Sequence, residues 1–266
     1  MRDHPSLYAL ETWEYRSGRW QRTNRFAPME RPLAVFVNGQ EAATLMASPH
    51  DPLSLALGFV ANEGWIASLE EVEIHRVCES QDCVDLWLTH EVPGPVRRVF
   101  TSGCTGGQTL NLPSQVEVPR PPEIAPLAPD DLFRWLRDLQ RPERAPLYHG
   151  GRGVHAAGLV QQGRLVLTAE DVGRHNALDR VRGLALLQKM DTRGGVLVTT
   201  GRISAEMALK AARMGCPVVV SRTAATGLAV DLAQRWGLTL VVYVRGDRFW
   251  VYTHPHRIHG EGMLAR

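Results

Sequence analysis

The stretch GVLVTTGRISAEMALKAARMGCPVVVSR, residues 195–222, decides the fold class of this chain. Its two ends, GVLVTT and PVVVSR, are apolar runs without polar alternation, which is typical of strands that are covered on both faces of a sheet. Between them, SAEMALKAARMG has the pattern of a helix. Such a strand–helix–strand unit predicts neighbouring strands of an α/β sheet.

The same alternation extends in both directions from this unit. Upstream, VHAAGLV and RLVLTAED read as strands, NALDRVRGLALLQKM reads as a helix, and DDLFRWLRDLQ reads as a helix capped by Asp. Downstream, GLAVDLAQRWG reads as a helix and LTLVVYVRG as the last strand. We therefore predict a three-layer α/β domain over residues 130–266, with functional groups in the loops that follow the strands.

The first part of the chain has a different, β-rich pattern. RPLAVFVNGQEAATLMAS predicts two strands around Asn38-Gly39, a dipeptide suited to a type I′ turn. A helix capped by Ser48 or Asp51 follows, and EVEIHRVCES and CVDLWLTHEV form a second strand pair. Residues 1–30 are either an irregular arm or an edge hairpin. The prediction is a smaller α+β domain over residues 1–112, ending in a loop that contains Cys104.

Six prolines lie between Leu112 and Pro129, at positions 113, 119, 121, 122, 126 and 129. Neither a helix nor a central strand tolerates so many prolines, since proline lacks the backbone N–H donor. Residues 113–129 are therefore predicted to link the two domains.

The overall composition limits the class of protein. A formal net charge of +2, with no polybasic run, gives no reason to expect a nucleic-acid partner. The polar N-terminus is not a signal peptide, and no apolar run reaches the roughly 18 to 20 residues of a membrane span. Four cysteines are too few for a disulfide scaffold. We expect a soluble cytoplasmic protein with reduced thiols.

Of the four cysteines, Cys104 has the clearest case for exposure. It lies in TSGCTGGQ, residues 101–108, among Gly, Thr and Ser rather than apolar neighbours. Cys216 opens an apolar strand and is predicted to be a core residue. Cys78 and Cys83 are five positions apart with no further cysteine or histidine that would complete a metal site. A thiolate at Cys104 could be stabilised by backbone amides of the loop.

Four loops of the second domain collect groups that bind anions, namely hydroxyls, helix N-terminal amides and guanidinium groups. If their strands are parallel neighbours, these loops meet at one edge of the sheet. Such an edge suits a phosphorylated nucleotide, although neither a Walker loop nor G-x-G-x-x-G is present. The loops are AEDVGRHNALDR, TTGRISAEM, SRTAATG and YVRGDRF.

One histidine suggests a comparison with zinc deaminases. His155 in VHAAGL fits the start of their H-x-E…P-C-x-x-C signature. Ala157 occupies the position of the catalytic Glu, and Cys216 has no second cysteine three residues on. Zinc hydrolysis is therefore poorly supported, and no metal site is predicted.

Long motifs in this chain resemble the formate dehydrogenase accessory sulfurtransferase (FdhD) family. They are VHAAGL, EDVGRHNALDRVRG, TTGRISAEMALKAARMGCPVVVSRTAATGLAVDLA and LTLVVYVRGDRFWVYT, with ERPLAVFVNG and DPLSLALGFVANEGWI nearer the N-terminus. The resemblance spans residues 30–253. It implies a second domain similar to the cytidine deaminase fold without its zinc.

The resemblance also implies a function. Members of the family accept sulfur from a cysteine desulfurase as a cysteine persulfide. They transfer it to the molybdenum or tungsten cofactor, a bis-guanine-dinucleotide, that formate dehydrogenase requires. The expected partners are therefore the cysteine desulfurase, formate dehydrogenase and this cofactor, and the expected assembly is a homodimer.

On this interpretation Cys104 is the nucleophile and sulfur carrier, and the anionic cofactor binds at the polar loops. His175 and Asn176 would line the site, either as ligand donors or as a proton source. The predicted cofactor-binding residues are Arg202, Ser204, Arg222, Thr223, Tyr243, Val244, Arg245, Gly246, Asp247 and Arg248, together with His175 and Asn176.

The chain departs from the family in one respect. Many members have a C-x-x-C pair in S-C-G-x-C-G, whereas TSGCTGG has Cys104 alone. A persulfide needs one sulfur acceptor, so transfer remains chemically possible, but a relay within the loop does not. A non-catalytic chaperone that delivers the guanylated cofactor is the alternative, and a degenerate deaminase-like hydrolase, which would need zinc, is a third hypothesis.

Overall fold

The structure is a computed structural model that describes His4 and residues 6–92, 99–100, 108–109 and 115–260. It is a mixed α/β protein, as the sequence predicts. Two sheets carry most of the described chain, one of four strands in the first part and one of six strands in the second. Cys104 lies outside the described residues.

The first part begins with a two-stranded hairpin and continues into the four-stranded sheet, whose strand order is β4-β3-β6-β5. The predicted turn at Asn38-Gly39 is confirmed, with positive φ at both residues (49° and 75°), as a type I′ turn requires. The strands are β1 (Leu7–Arg16), β2 (Arg19–Pro28), β3 (Arg31–Val37), β4 (Gln40–Ala47), β5 (Val72–Val77) and β6 (Cys83–Leu88), with short strands β7 (Val99–Phe100) and β8 (Gln108–Thr109).

Helix α1 (Pro52–Asn62) covers the four-stranded sheet. Of its two candidate caps, Asp51 caps the helix, since its carboxylate accepts a hydrogen bond from the Ser54 N–H at 3.3 Å. Leu55, Phe59 and Val60 are buried in one core with the inner faces of β3 and β6.

The second part is a six-stranded sheet with helices on both faces, and its strand order is β10-β9-β11-β12-β13-β14. The strands are β9 (His155–Gln161), β10 (Arg164–Asp171), β11 (Val196–Thr199), β12 (Val218–Ser221), β13 (Thr239–Arg245) and β14 (Arg248–Val251). The helices are α2 (Pro129–Leu139), α3 (Pro146–Gly150), α4 (Arg174–Leu187), α5 (Ala205–Arg213) and α6 (Gly227–Trp236).

The strands β11 and β12 are buried at every position, as their apolar sequences predict. Helices α4, α5 and α6 pack on one face of the sheet and α2 on the other. One local prediction was wrong: α2 begins with Pro129 after Ala128, so Asp130 and Asp131 lie in its first turn and do not cap it.

The proline-rich segment runs along the second sheet and its helices. Glu123 forms an ion pair with Arg257 at 2.7 Å, and Leu127 forms a parallel bridge with Ile258. Val116 and Val118 pack partly on the α4–α6 side of the core. None of the helices in the described ranges has the length and hydropathy of a membrane span, the longest being α4 with 14 residues.

Candidate functional site

The carboxyl ends of four strands meet at one edge of the six-stranded sheet. Strand β9 is antiparallel to both β10 and β11, and β11, β12 and β13 are mutually parallel. Strands β10 to β13 therefore run in one direction, and the amino end of β9 lies at the same edge, where His155 pairs with Asp171. The predicted convergence of the polar loops is observed.

Hydrogen bonds to backbone carbonyls tie three of these loops to one another. The Arg222 N–H donates to the Thr199 carbonyl at 3.1 Å, and the Tyr243 N–H donates to the Thr223 carbonyl at 2.9 Å. The Ser221 hydroxyl donates to the Gly201 carbonyl at 2.7 Å. Because the loops after β11, β12 and β13 are held to one another, their polar groups form a continuous rim rather than separate turns.

The last part of the rim is a hairpin and not the open loop that the sequence predicts. Strand β14 returns antiparallel to β13, with the turn at Gly246 and an irregularity in register between Val242 and Arg245. Tyr243 has a φ of 53° there. Strand β14 has four residues, which is too short for alternating polar and apolar residues to predict a strand from the sequence.

Cationic and aromatic side chains stand together on this hairpin. The exposed Arg245 donates through Nε to the Arg222 carbonyl at 2.9 Å. The Arg248 guanidinium lies 5.6 Å from the Trp250 ring centre, and the Trp250 ring meets Tyr243 edge-on at 5.2 Å. Trp250 is 47% exposed, so an aromatic ring beside the Arg248 guanidinium faces solvent.

Arg222 is oriented by a residue from another element. Its guanidinium donates to the Tyr148 hydroxyl at 2.8 Å. The carboxylate of Glu170 in turn accepts hydrogen bonds from the backbone N–H groups of Leu147 and Tyr148, at 2.9 and 2.6 Å. Burial raises the pKa of Glu170, although both N–H donors favour its ionised form. Helix α3 thus positions an arginine on the rim.

A buried ionic cluster lies directly beneath the rim. His175 Nε2 is 3.0 Å from the Ser204 hydroxyl and 3.3 Å from Glu206 Oε2. The Lys210 ammonium donates to both carboxylate oxygens of Asp179, at 2.7 and 2.6 Å. The two carboxylates, Asp179 and Glu206, raise the pKa of Lys210 against its burial. The lysine is therefore a fixed positive charge inside the protein.

His175 is neutral in this environment. Burial lowers its pKa well below the usual value, and the positive charges of Lys210, Arg174 and Arg202 lower it further. His155 at the start of β9 behaves similarly, because burial and the nearby Arg174 and Arg202 lower its pKa. Two uncharged imidazoles thus lie among cationic side chains at the sheet edge.

Asn176 points in a different direction from its neighbour His175. Its amide donates to the Met46 carbonyl at 2.8 Å and to Asp171 Oδ1 at 3.0 Å. Asp171 also forms a buried ion pair with Arg180 at 2.8 Å. Arg180 donates to the Ser48 carbonyl at 2.8 Å. These bonds join α4 to the first part of the chain, so the Asn176 amide is used away from the rim.

The structure therefore brings most of the predicted cofactor-binding residues together and separates two of them. The Asn176 amide is bonded to Met46 and Asp171, away from the rim. The Val244 side chain is 4% exposed and packs in the core beside α2, so Val244 offers the rim only its backbone. His175 and Ser204 are buried just below the rim. The rim itself comprises Arg202, Arg222, Thr223, Tyr243, Arg245, Gly246, Asp247 and Arg248.

Sequence reasoning missed Tyr148, Glu206 and Lys210. Glu206 and Lys210 are four residues apart on α5, which predicts a shared helix face but not its burial. Tyr148 precedes the sheet and carries no motif. Only the tertiary fold brings Tyr148 of α3 to Arg222 and the two α5 residues into the cluster beneath the rim.

Two predictions about cysteines have different outcomes. Cys216 is fully buried, as predicted, and burial raises the pKa of its thiol to about 12. The expectation of reduced thiols was wrong for Cys78 and Cys83, which the structure joins in a disulfide. The physical reason is that strands β5 and β6 are antiparallel and their ends place the two Cα atoms 5.4 Å apart, within the usual range for a disulfide.

Fold and site together define an α/β protein with an arginine-rich, hydroxyl-bearing sheet edge. The family model of the FdhD/NarQ family matches residues 28–259. The chain belongs to this family.

Individual relatives are similar over almost the whole chain. The sulfur carrier protein FdhD of Bacillus pumilus is 36% identical over 250 residues, covering 92% of this chain and 95% of the relative. The protein of the same name from Wolinella succinogenes is 35% identical, covering 86% of this chain and 81% of the relative. A crystal structure of a formate dehydrogenase accessory protein from Desulfotalea psychrophila superimposes with a TM-score of 0.76 at 29% identity, covering 96% of this chain and all of that one.

Proposed function

We propose that this chain is a sulfur carrier for formate dehydrogenase maturation. It would take sulfur from a cysteine desulfurase as a persulfide on Cys104 and transfer it to the molybdenum bis-guanine-dinucleotide cofactor, its substrate. A tungsten cofactor with the same guanosine ends would bind equally. The observation that carries the proposal is the polar rim, in which Arg245 bonds to the backbone of Arg222 and Arg248 lies over the solvent-facing Trp250 ring.

The rim supports an anionic nucleotide better than a neutral ligand. In this proposal the diphosphate contacts Arg222 and Arg245, since guanidinium groups form paired, charge-assisted hydrogen bonds with phosphate oxygens. The exposed Trp250 ring would stack on the guanine base. Thr223 and the backbone around Gly246 would supply further donors.

The sulfur chemistry is a pair of exchanges. The Cys104 thiolate attacks the outer sulfur of the desulfurase persulfide, the sulfur–sulfur bond breaks, and the desulfurase thiolate leaves. The outer sulfur of the new Cys104 persulfide then passes to reduced molybdenum. The metal gives up two electrons as the sulfur becomes a sulfide ligand, and the Cys104 thiolate is released.

His175 acts in this scheme as a positioning residue. It is 5% exposed, and both of its described partners, Ser204 and Glu206, contact the same ring nitrogen. A buried, neutral imidazole of this kind fixes the Ser204 hydroxyl at the amino end of α5. These contacts favour a role for His175 in orienting the rim over a role as a direct ligand of the cofactor.

The competing function is a chaperone that delivers the cofactor without handling sulfur. Formate dehydrogenase activity should be measured in cells that lack their own accessory protein and carry wild type, Cys104→Ala or the Cys78→Ser/Cys83→Ser pair. The proposal predicts activity with the serine pair and near-complete loss with Cys104→Ala. Full activity with Cys104→Ala would support the chaperone instead. The proposed assembly is a cytoplasmic homodimer.

A further inference from the structure

Cys78 and Cys83 form a second sulfur pair that the proposed function does not use. They close the β5–β6 hairpin, and the Cys78 N–H donates to the Cys83 carbonyl at 3.1 Å. Both residues are partly exposed, whereas Cys216 is fully buried. Among the cysteines that the structure describes, these two are the ones that a reagent in solution can reach.

The disulfide closes a very short loop, so it contributes little as a structural cross-link. The stabilisation from a disulfide grows with the length of chain that it encloses, and here four residues lie between the cysteines. The two strands are already joined by their ladder, and β6 is paired on its other side with β3. The strand pairing therefore holds the hairpin whether or not the disulfide is formed. A partly exposed cysteine pair in such a hairpin is suited to thiol–disulfide exchange.

The hairpin turn also borders a cavity. Glu79, Gln81 and Asp82 of the turn line a space of about 420 Å³. Its lining also includes the basic side chains of Arg31, His50 and Arg180. The Arg31 guanidinium forms no ion pair with any residue in the described ranges, so it is available to a ligand carboxylate. A small thiol persulfide that carries a carboxylate therefore finds a cationic group in the cavity that the cysteine turn borders.

We propose that the reduced Cys78–Cys83 pair consumes persulfide sulfur and releases it as sulfide. One thiolate attacks the outer sulfur of a small-molecule persulfide, giving a protein persulfide and the free small thiol. The second cysteine then attacks the inner sulfur of that persulfide. The Cys78–Cys83 disulfide forms and hydrosulfide leaves.

The electrons balance within this reaction. The transferred sulfur gains two electrons, which come from the two cysteine thiols as they become a disulfide, so no further oxidant is needed. A cellular dithiol reductant would return the pair to its reduced state. The inference shares its sulfur chemistry with the proposed function but assigns it to a separate site that does not require Cys104.

The test uses the full chain with Cys104→Ala, so that a failure here is distinct from a failure of the proposed carrier. The chain is reduced, freed of reductant and mixed with glutathione persulfide, and released sulfide and intact mass are followed. We expect one sulfide per chain above background and a loss of about 2 Da as two thiols become a disulfide. Peptide mass mapping should locate the new bond at residues 78 and 83.

Two further variants, both in the Cys104→Ala chain, sharpen the result. With Cys83→Ser the second attack is impossible, so a persulfide should accumulate as a gain of about 32 Da that a reductant reverses. The Cys78→Ser/Cys83→Ser pair gives the background rate of sulfide release. Sulfide release no faster than this background, with the mapped cysteines still reduced, would overturn the inference and leave the disulfide as a structural bond.

Discussion

Gly58 of α1 lies directly against the backbone carbonyl of Asp179 in α4. A Cβ atom at position 58 would stand 1.7 Å from that oxygen. Gly183 of α4 makes the reciprocal contact, since its Cβ would stand 1.8 Å from the Ser54 carbonyl oxygen. The two helices thus cross in backbone contact, and this crossing holds the four-stranded sheet and α1 against the six-stranded sheet and its helices.

We expect Gly58→Ala to destabilise the protein, because the added methyl group meets backbone atoms that no rotamer change can move. Overpacking against backbone atoms costs about 3 kcal/mol, which lowers Tm by roughly 6 to 12 °C in a chain of this size. Thermal unfolding of wild type and Gly58→Ala measures this difference in Tm. Gly227→Ala is the matched control, since a Cβ there meets nothing within 4 Å. Equal Tm values for the two variants would contradict the described crossing.

We expect Lys210→Met to destabilise the protein because it leaves the Asp179 carboxylate buried without its cation. Removing one partner of a buried ion pair costs about 3 to 5 kcal/mol. Arg134→Met, which breaks the exposed pair with Asp131, should cost less than about 1 kcal/mol. Urea unfolding of both variants measures the difference. A Lys210→Met chain as stable as Arg134→Met would show that Asp179 is neutral in the folded protein.

Stability at mildly acidic pH should depend on His50. Burial lowers its folded-state pKa to about 3, helped by the positive charge of Arg180. The unfolded chain takes up a proton near pH 6.5 and the folded chain does not, so this contribution to stability is lost as pH falls from about 6.5 towards 3. Between pH 6.5 and 5.5 the loss attributable to His50 approaches about 1 kcal/mol.

The measurement compares the unfolding free energies of wild type and His50→Gln at those two pH values. Taking the difference cancels the contributions of Glu170 and Asp171, whose pKa values burial raises. The variant should lose less stability than wild type on acidification. His259→Gln, at an exposed position, serves as the control and should follow wild type. A His50→Gln chain with an unchanged pH slope would disprove the role of His50.

Nucleotide binding at the rim should depend on Arg245. Its side chain is exposed and bonds only to a backbone carbonyl in the described structure, so Arg245→Ala removes a cation without disturbing the core. We expect the Kd for GDP, measured by calorimetry at fixed salt, to rise about 10-fold, or about 1.4 kcal/mol. Arg137→Ala, on the exposed face of α2, should leave the Kd unchanged. Equal Kd values for the two variants would place the nucleotide elsewhere.

Local signals in the sequence were enough to predict much of the fold. Asn38-Gly39 requires positive φ at both positions, and the apolar runs of β11 and β12 require burial on both faces, so each is recognised without knowledge of the rest of the chain. The convergence of the polar loops followed from parallel strands, because carboxyl ends of parallel neighbours share an edge.

What the sequence analysis missed depends on contacts between distant segments. The Lys210–Asp179 pair spans 31 positions and the Arg222–Tyr148 bond spans 74, and neither has a local pattern. Strand β14 has four residues, so its apolar alternation is weak. The first hairpin is exposed on much of both faces, which left it one of two alternatives for residues 1–30. The strand pair around Cys78 and Cys83 was predicted, but the low cysteine count was taken to indicate reduced thiols, so their pairing was missed.

Intact-protein mass spectrometry tests the sulfur-carrier proposal most directly. The chain with Cys78→Ser/Cys83→Ser, which isolates Cys104 from the second sulfur pair, is incubated with a cysteine desulfurase and L-cysteine, alongside the same chain with Cys104→Ala. We predict a gain of about 32 Da, reversed by a reductant, only where Cys104 is present. The absence of any gain from the chain that retains Cys104 would contradict the account.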